Sequence, residues 1–418
     1  EIYNIRRCIS LGHVYGRQIY VLMNKNLLIL TLSQIFSFTA APVTVFLSGI
    51  IGSQISPLKS LSTLPMSISV VGIAIGAILA TKVMSLIGRK AGFISASIGN
   101  FLFSILAAYS IMDQNFILFC FANFFIGVGM AFTHQYRFAA AESVEKDKVP
   151  RAISIILLGG IVSAFLGPSM ANYGKDIVTD QLYVGSYLSL AILTIIPSIL
   201  FLFYENTSKL ESNIKSSGRS ILELISQPRF LQALVASAFG YAIMTFLMTA
   251  TPLSMHVMEK MSLSKTGLVI QFHVVAMFLP SLITGNLVKK FGHSKIMYAG
   301  VFLYSITIIA SFFDQTYYNY MFALIILGLG WNFLFISGTS LLVLTYKEEE
   351  KFKAQGLNDF IVYSVHATGS LSAGVLIMLT NWKMMNLICI PFLIIIILTT
   401  LRADILSKKQ KNLSSSHR

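Results

Sequence analysis

The sequence predicts an all-α membrane protein of twelve transmembrane helices arranged as two pseudo-symmetric six-helix halves. Three observations carry this. Hydrophobic residues make up 55% of the 418 and charged residues only 11%, with a mean hydropathy of +0.74, a balance foreign to water-soluble domains of this size. The apolar residues fall into twelve runs, each near the roughly 20 residues needed to cross a bilayer core as a helix. The stretch TKVMSLIGRKAG at 81–92 returns as GNLVKKFGHSK at 285–295, and Asp113-Gln114 and Gly127-x-Gly129 return as Asp314-Gln315 and Gly328-x-Gly330 at nearly the same offset. Duplication of this kind in a hydrophobic chain marks secondary transporters whose substrate site lies between the copies.

Taken in order, residues 1–26 are expected to form a cytoplasmic arm. Its Arg6, Arg7, Arg17 and Lys25 among Ile, Val and Tyr suit either an amphipathic segment on the membrane surface or a simple leader. A cleavable signal peptide is not expected, because the first apolar run is too long. The first half, 27–204, holds runs at 27–50, 63–84, 93–112, 116–141, 152–173 and 184–204. Residues 205–228 are the longest polar stretch inside the chain and are expected to link the halves. The second half, 229–402, holds runs at 229–252, 266–288, 296–313, 318–345, 356–379 and 385–402. The basic, Ser-rich tail at 403–418 is expected to be disordered.

Orientation follows from the basic residues, which are retained on the cytoplasmic side. With both termini inside, only Lys59, Lys175, Lys260, Lys265 and Lys383 of the 31 Lys and Arg fall outside, and Arg137 falls within a helix. The net charge of +14 is therefore a topology signal, and no nucleic-acid partner is expected. Cys8, Cys120 and Cys389 are far apart and form no C-x-x-C pair, so no disulfide framework, metal site or cofactor is expected. Nor does the chain carry a Walker loop, H-E-x-x-H or G-x-S-x-G, which argues against an ATP-driven pump and an enzyme.

Gly88-Arg89-Lys90 between the second and third runs resembles the cytoplasmic signature of the major facilitator superfamily, with Thr81 in its first Gly position and Ser85 in that of its Asp. The second copy keeps Gly285 and Gly292 and places Lys289 at the Asp position. In the family that Asp helps latch the halves when the cytoplasmic side is closed; here it is absent. Gly159-Gly160 followed by Gly167-Pro168 resembles a second signature, in the fifth helix, where small residues allow close approach and Pro bends the helix. A family Arg ahead of the first glycine of the fourth helix is Asn123 here. The blocks His134 to Ala141 and Gln355 to Phe360 are similar to a bacterial branch that includes riboflavin-transporter-like members. The resemblance implies the major facilitator fold across the whole membrane region, with Gly88, Arg89, Lys90, Gly285, Gly292, Gly167 and Pro168 as gating elements.

Intramembrane ionisable groups cost about 2.5 to 3.5 kcal/mol each on insertion scales, so those present usually face a cavity or a partner. On the fourth run Asn123, Gly127, Met130, His134 and Ala141 share a face, with Arg137 about 60° aside. Arg137 suits an anionic or carbonyl-bearing solute through paired donors, or else snorkels toward headgroups or holds Glu142. On the eleventh run Asp359, Tyr363, His366 and Ser370 form one polar stripe. Asp359 and His366 are the candidates for proton coupling, and a gate salt bridge between Asp359 and Arg89 is the competing assignment. Gln34, Asn123, His134, Arg137, His273 and Asn332 are the candidates for contacting a small-molecule substrate. Phe124, Phe125, Phe132, Tyr136, Tyr241, Trp331, Phe333 and Phe335 are placed to stack on a flat ring, although aromatics in such chains commonly face lipid.

The expected function is secondary active transport of a small organic solute, anionic or aromatic, by alternating access across the inner membrane, coupled to protons. The partners expected are the solute, protons and membrane lipids, with the chain acting as a monomer. A drug or metabolite exporter is the alternative within transport, disfavoured by a first run without Asp or Glu. A transporter-like sensor or assembly protein without turnover is the alternative of another class.

Overall fold

The computed structural model describes residues 24–58, 61, 64–178, 182–206 and 218–416; most of the expected N-terminal arm and residues 207–217 of the expected linker lie outside them. Eleven helices among the described residues are long and apolar enough to cross a membrane. One of these, a 49-residue run over Leu64–Met112 (here α3), contains a non-helical residue, Gly88, at φ 82° and ψ 164°. At 1.5 Å per residue such a run would reach about 74 Å, more than twice a bilayer core. It is two crossings joined at Gly88, which brings the crossings to twelve.

The second half repeats the device. Gly292, at φ 88° and ψ 158°, joins α11 (Ser281–Phe291) to α12 (His293–Ala310). Nothing lies within 4 Å of a Cβ built on it, so the backbone conformation, which glycine alone adopts readily, is what calls for this residue. Gly292→Ala is therefore expected to cost about 1–3 kcal/mol; thermal unfolding of the purified variant checks this, and an unchanged midpoint would show that the turn accepts a side chain.

Four crossings are broken into two helices each. The first is α1 (Lys25–Ser37) and α2 (Ala40–Ile55), the fourth α4 (Phe116–His134) and α5 (Tyr136–Glu142). The eighth is α10 (Leu263–Phe278) and α11, the twelfth α15 (Trp382–Ile388) and α16 (Ile390–Ser416). Pro42, Pro280 and Pro391 account for three of the breaks, since proline cannot donate to the carbonyl one turn earlier and crowds it. The break at Gln135 has no neighbouring proline to explain it. The other α-helices among the described residues are α6 (Val149–Gly174), α7 (Val184–Leu202), a short α8 (Ile221–Ser226), α9 (Pro228–Pro252), α13 (Tyr317–Val343) and α14 (Lys351–Leu379).

Within each half the repeated glycines let backbones meet. A Cβ on Gly127 would lie 2.0 Å from the Ser69 carbonyl oxygen, and one on Gly328 would lie 2.7 Å from that of His273. Gly167 does the same against Pro42, at 2.6 Å from its Cγ; the side chain of Pro168 is outside the described set. Between the halves, α3 packs on α14 and α6 on α11. Gly356 and Gly285 admit these crossings, with Cβ positions 2.5 Å from Thr81 Oγ1 and 2.7 Å from Ser154 Oγ. Such small-residue contacts are how helices associate where lipid removes the usual hydrophobic drive. Large apolar side chains such as Ile117, Ile192, Phe302 and Leu398 stay exposed on the outside of the bundle, as lipid contact requires.

Among the polar segments, the stretch 205–228 carries a short helix, in which Ser220 and Glu223 form a capping box that starts α8, and Arg219 donates to both Glu350 carboxylate oxygens, at 2.8 and 2.5 Å. That hydrogen bonding raises the Arg219 pKa. The tail expected to be disordered from 403 is helical to Ser416. It is anchored by the buried Ala403 and by Asp404, which accepts from Arg229 at 2.8 Å and Ser294 at 2.7 Å. Composition alone suggested a solvated tail; these contacts hold its first turns against the second half.

Candidate functional site

The interface between the halves is organised by one face of α14. Gln355, Asp359 and Tyr363 follow each other at i, i+4 spacing, are all buried, and meet residues of the first half in three successive layers. In the first layer Arg89 donates to Glu142 through Nε (2.8 Å) and Nη2 (2.5 Å), and Nη2 also reaches Gln355 Oε1 at 2.7 Å. Gln355 Nε2 donates in turn to Glu142 at 3.1 Å and Tyr346 Oη at 2.6 Å. In the second, Arg137 is salt-bridged to Asp359 through Nη2. Asp359 also accepts from Gln135 Nε2 at 2.7 Å and Asn358 Nδ2 at 3.0 Å, while Arg137 Nη1 donates to Tyr363 Oη at 3.3 Å. In the third, the His134 ring stacks on Tyr363, centroids 4.4 Å apart.

The expected ion pairs are thereby exchanged. Arg89 does not meet Asp359, and Arg137 does not hold Glu142. Arg137 and Glu142 sit five residues apart, about 140° around a helix, so they face different neighbours. Gln355, one turn nearer the end of the bundle that carries the basic loops, occupies the place facing Arg89 and leaves Asp359 to Arg137. Lys289, in the position of the family Asp, reaches across to Asp147 at 2.6 Å, whereas Ser85 donates to the Lys82 carbonyl of its own helix. Lys90 binds within the first half, to the Leu202 carbonyl at 2.6 Å.

Beside the third layer, six rings form a closed circuit. Phe38 contacts His134 (6.0 Å), His134 contacts Tyr363 (4.4 Å), Tyr363 contacts Tyr241 (5.8 Å), Tyr241 contacts Trp331 (5.5 Å), Trp331 contacts Phe278 (5.7 Å), and Phe278 returns to Phe38 (6.1 Å). All six line one cavity, together with Gln34, Arg137 and Phe335. Its volume is about 30 Å³, room for roughly one water. Gln34 Oε1, Arg137 Nε and Trp331 Nε1 have no hydrogen-bond partner among the described residues. Other buried side-chain atoms among the described residues are unpaired as well, such as Ser104 Oγ and Asn386 Oδ1; these three belong to residues lining the cavity. From Lys351 to Asp359 α14 is largely buried, whereas no residue from Ser364 to Ser372 is fully buried. The interface is sealed at the basic end and loosened toward the other.

Of the sequence candidates, Gln34, His134 and Arg137 come together at this cavity. Asn123, His273 and Asn332 do not. Asn123 donates to the Phe119 carbonyl at 2.8 Å and accepts from Tyr187 at 3.3 Å. His273 donates to the Leu324 carbonyl at 2.7 Å, and Asn332 bonds Met277, Ser281 and Thr284. Each ties helices within its own half, as polar groups commonly do in lipid. His366 stacks on Tyr241 at 4.7 Å, with Tyr363 lying between it and Asp359. Ser370 meets Thr249 within the second half. Among the aromatic candidates Tyr241, Trp331 and Phe335 line the cavity, while Phe125 stacks on Phe103 and Tyr136 meets Phe93 edge to face inside the first half. Phe38 and Phe278 were missed; each stands just before a helix break that a proline produces, which is the signal that marks them. Gln135 and Gln355 lie inside the two blocks quoted for the bacterial branch.

Comparison with known proteins agrees with this geometry. The model of the Major Facilitator Superfamily matches residues 27–279 and 248–416. The chain is 33% identical over 375 residues to a riboflavin transporter, RfnT, of Brucella anthropi, covering 89% of this chain and 94% of that one. It is 27% identical over 293 residues to YddS, an uncharacterized transporter of the same superfamily from Bacillus subtilis, covering 65% and 66%. Among solved structures, the human organic anion transporter MFSD10 superposes with a TM-score of 0.72 at 12% identity, covering 90% of this chain and 99% of that one. FucP in its outward conformation gives 0.69 at 16%, covering 89% and 97%. Twelve crossings in two matching halves, an interface that meets around a central cavity, and these likenesses along nearly the whole length lead to one conclusion: this chain belongs to the major facilitator superfamily of membrane transporters.

Proposed function

We propose that this protein carries a flat heteroaromatic solute of the riboflavin type by alternating access, acting as a monomer in a bacterial inner membrane with its basic end in the cytoplasm. The observation that carries the reading is the circuit of six rings around a cavity whose lining includes unpaired donors and an unpaired acceptor. Rings supply stacking faces, and Gln34, Arg137 and Trp331 supply hydrogen bonds to the carbonyl and imide edge of such a solute. The likeness to the Brucella anthropi riboflavin transporter supports the same class. A cavity of about 30 Å³ admits no such ring system as it stands, so the halves must rock apart to load it.

Asp359 couples this movement to protons. Opening the basic end separates Arg137 from Asp359, and a carboxylate left alone in a low-dielectric interior is costly. Protonating it removes that cost, so a proton taken up at Asp359, with His366 on the approach to it, favours the opened state. The test of the transport reading is counterflow: liposomes carrying the purified protein and loaded with unlabelled riboflavin are expected to take up labelled riboflavin well above empty liposomes. Binding without flux would identify a sensor, and neither binding nor flux would exclude this solute.

A further inference from the structure

We propose that the ring system of the solute is seated between His134 and Tyr363, which part to form a stacking slot. This rests on the riboflavin-type reading above and assigns it a place. Four ring pairs among the described residues are stacked face to face: Phe103 with Phe125, His134 with Tyr363, Tyr241 with His366, and Trp331 with Phe335. Three of them lie within one half, where the helices around them are held by close backbone packing. Only His134–Tyr363 crosses from one half to the other, so it alone opens without disrupting a packed half.

The slot has the right shape and support. Its faces are tilted by only 25° with centroids at 4.4 Å, a filled stack with no guest. A flat guest needs about 3.5–4 Å of carbon-to-carbon clearance on each side, so the two rings must move to roughly 7–8 Å apart. His134 lies three residues before Arg137 and Tyr363 four residues after Asp359, so the slot sits one helical turn from the salt bridge, on the side where α14 becomes exposed. The pair therefore parts where the interface is already loosened, while the Arg137–Asp359 and Arg89–Glu142–Gln355 layers keep the basic end shut. The remaining rings of the circuit meet edge to face and border the guest without covering it.

Riboflavin itself is the probe, because a flavin stacked between aromatic rings loses fluorescence. Titrating the purified full-length protein is expected to quench riboflavin fluorescence with saturation. His134→Leu and Tyr363→Leu are each expected to weaken binding about tenfold or more, the size expected for a lost aromatic stack. Tyr363→Phe, which restores the ring, is expected to recover most of the loss relative to Tyr363→Leu, and this recovery separates a stacking role from damage to the fold. Phe103→Leu, in the stack remote from the cavity, is expected to bind as the unaltered protein does. If the unaltered protein binds riboflavin and both leucine variants bind it equally well, the slot is wrong and the riboflavin reading stands. Loss in Tyr363→Phe as deep as in Tyr363→Leu would also overturn the slot, since the ring is then not what matters. If the unaltered protein binds no riboflavin, the riboflavin reading fails and the slot fails with it.

Discussion

Arg137→Ala is expected to destabilise the protein by about 3–5 kcal/mol, because it leaves the carboxylate of Asp359 buried without its counter-charge. Both partners are almost fully removed from solvent, Arg137 3% and Asp359 0% exposed, so neither solvent nor salt screening softens the loss. The double variant Arg137→Ala/Asp359→Ala is expected to regain most of that stability, since removing both charges also removes the desolvation each one suffers. Neither protein is expected to transport, because both lack Arg137, whose donors span the interface to residues 359 and 363. Thermal unfolding of the two purified variants decides the matter. Equal destabilisation in single and double variants would assign the effect to lost packing instead, for the guanidinium also lies over the Phe138 and Phe335 rings at 4.6 and 5.0 Å. Arg137→Lys is expected to fall between: an ammonium keeps the charge but cannot span Asp359 and Tyr363 with one planar fork.

Asp359→Asn is expected to abolish accumulation driven by a pH gradient while preserving counterflow exchange, which moves no net proton. The substitution keeps the shape of the side chain and one of the two oxygens that accept from Gln135 and Asn358, and it fixes the residue in an uncharged form like that of the protonated acid. A carrier with its coupling group permanently neutral cycles with solute on both strokes yet draws nothing from the gradient. Acidifying the outside of proteoliposomes should therefore raise uptake in the unaltered protein and leave the variant at the level of its own exchange. If the variant still concentrates riboflavin in a pH-dependent way, the coupling proton binds elsewhere and Asp359 serves only the seal.

The residues themselves determined the class of fold. Hydropathy set the twelve crossings, since each backbone segment in lipid must satisfy its own hydrogen bonds as a helix, and the recurrence of Gly88 as Gly292 and of Gly127 as Gly328 exposed the two matching halves. The first recurrence has a local cause, a positive φ at Gly88 and Gly292, which a sequence displays directly; the second marks a contact between helices, repeated because the two halves match. Arg137 and Asp359 also stood out, because charge inside a membrane is rare wherever it occurs. What the sequence did not contain was who faces whom. Asn123, His273 and Asn332 carry the same polar chemistry as Gln34, yet each is spent on a neighbouring helix of its own half. Arg89 and Arg137 each had a plausible acid within reach along the chain, and the rotation of one short helix and one turn of α14 exchanged them. The circuit of rings belongs to the same category: its six members come from six different crossings, and only the docking of one half against the other brings Phe38 to Phe278 and His134 to Tyr363. Helix formation depends on contacts a few residues apart, whereas pairing across the interface depends on helix phase and rigid-body placement, which no short stretch of sequence encodes.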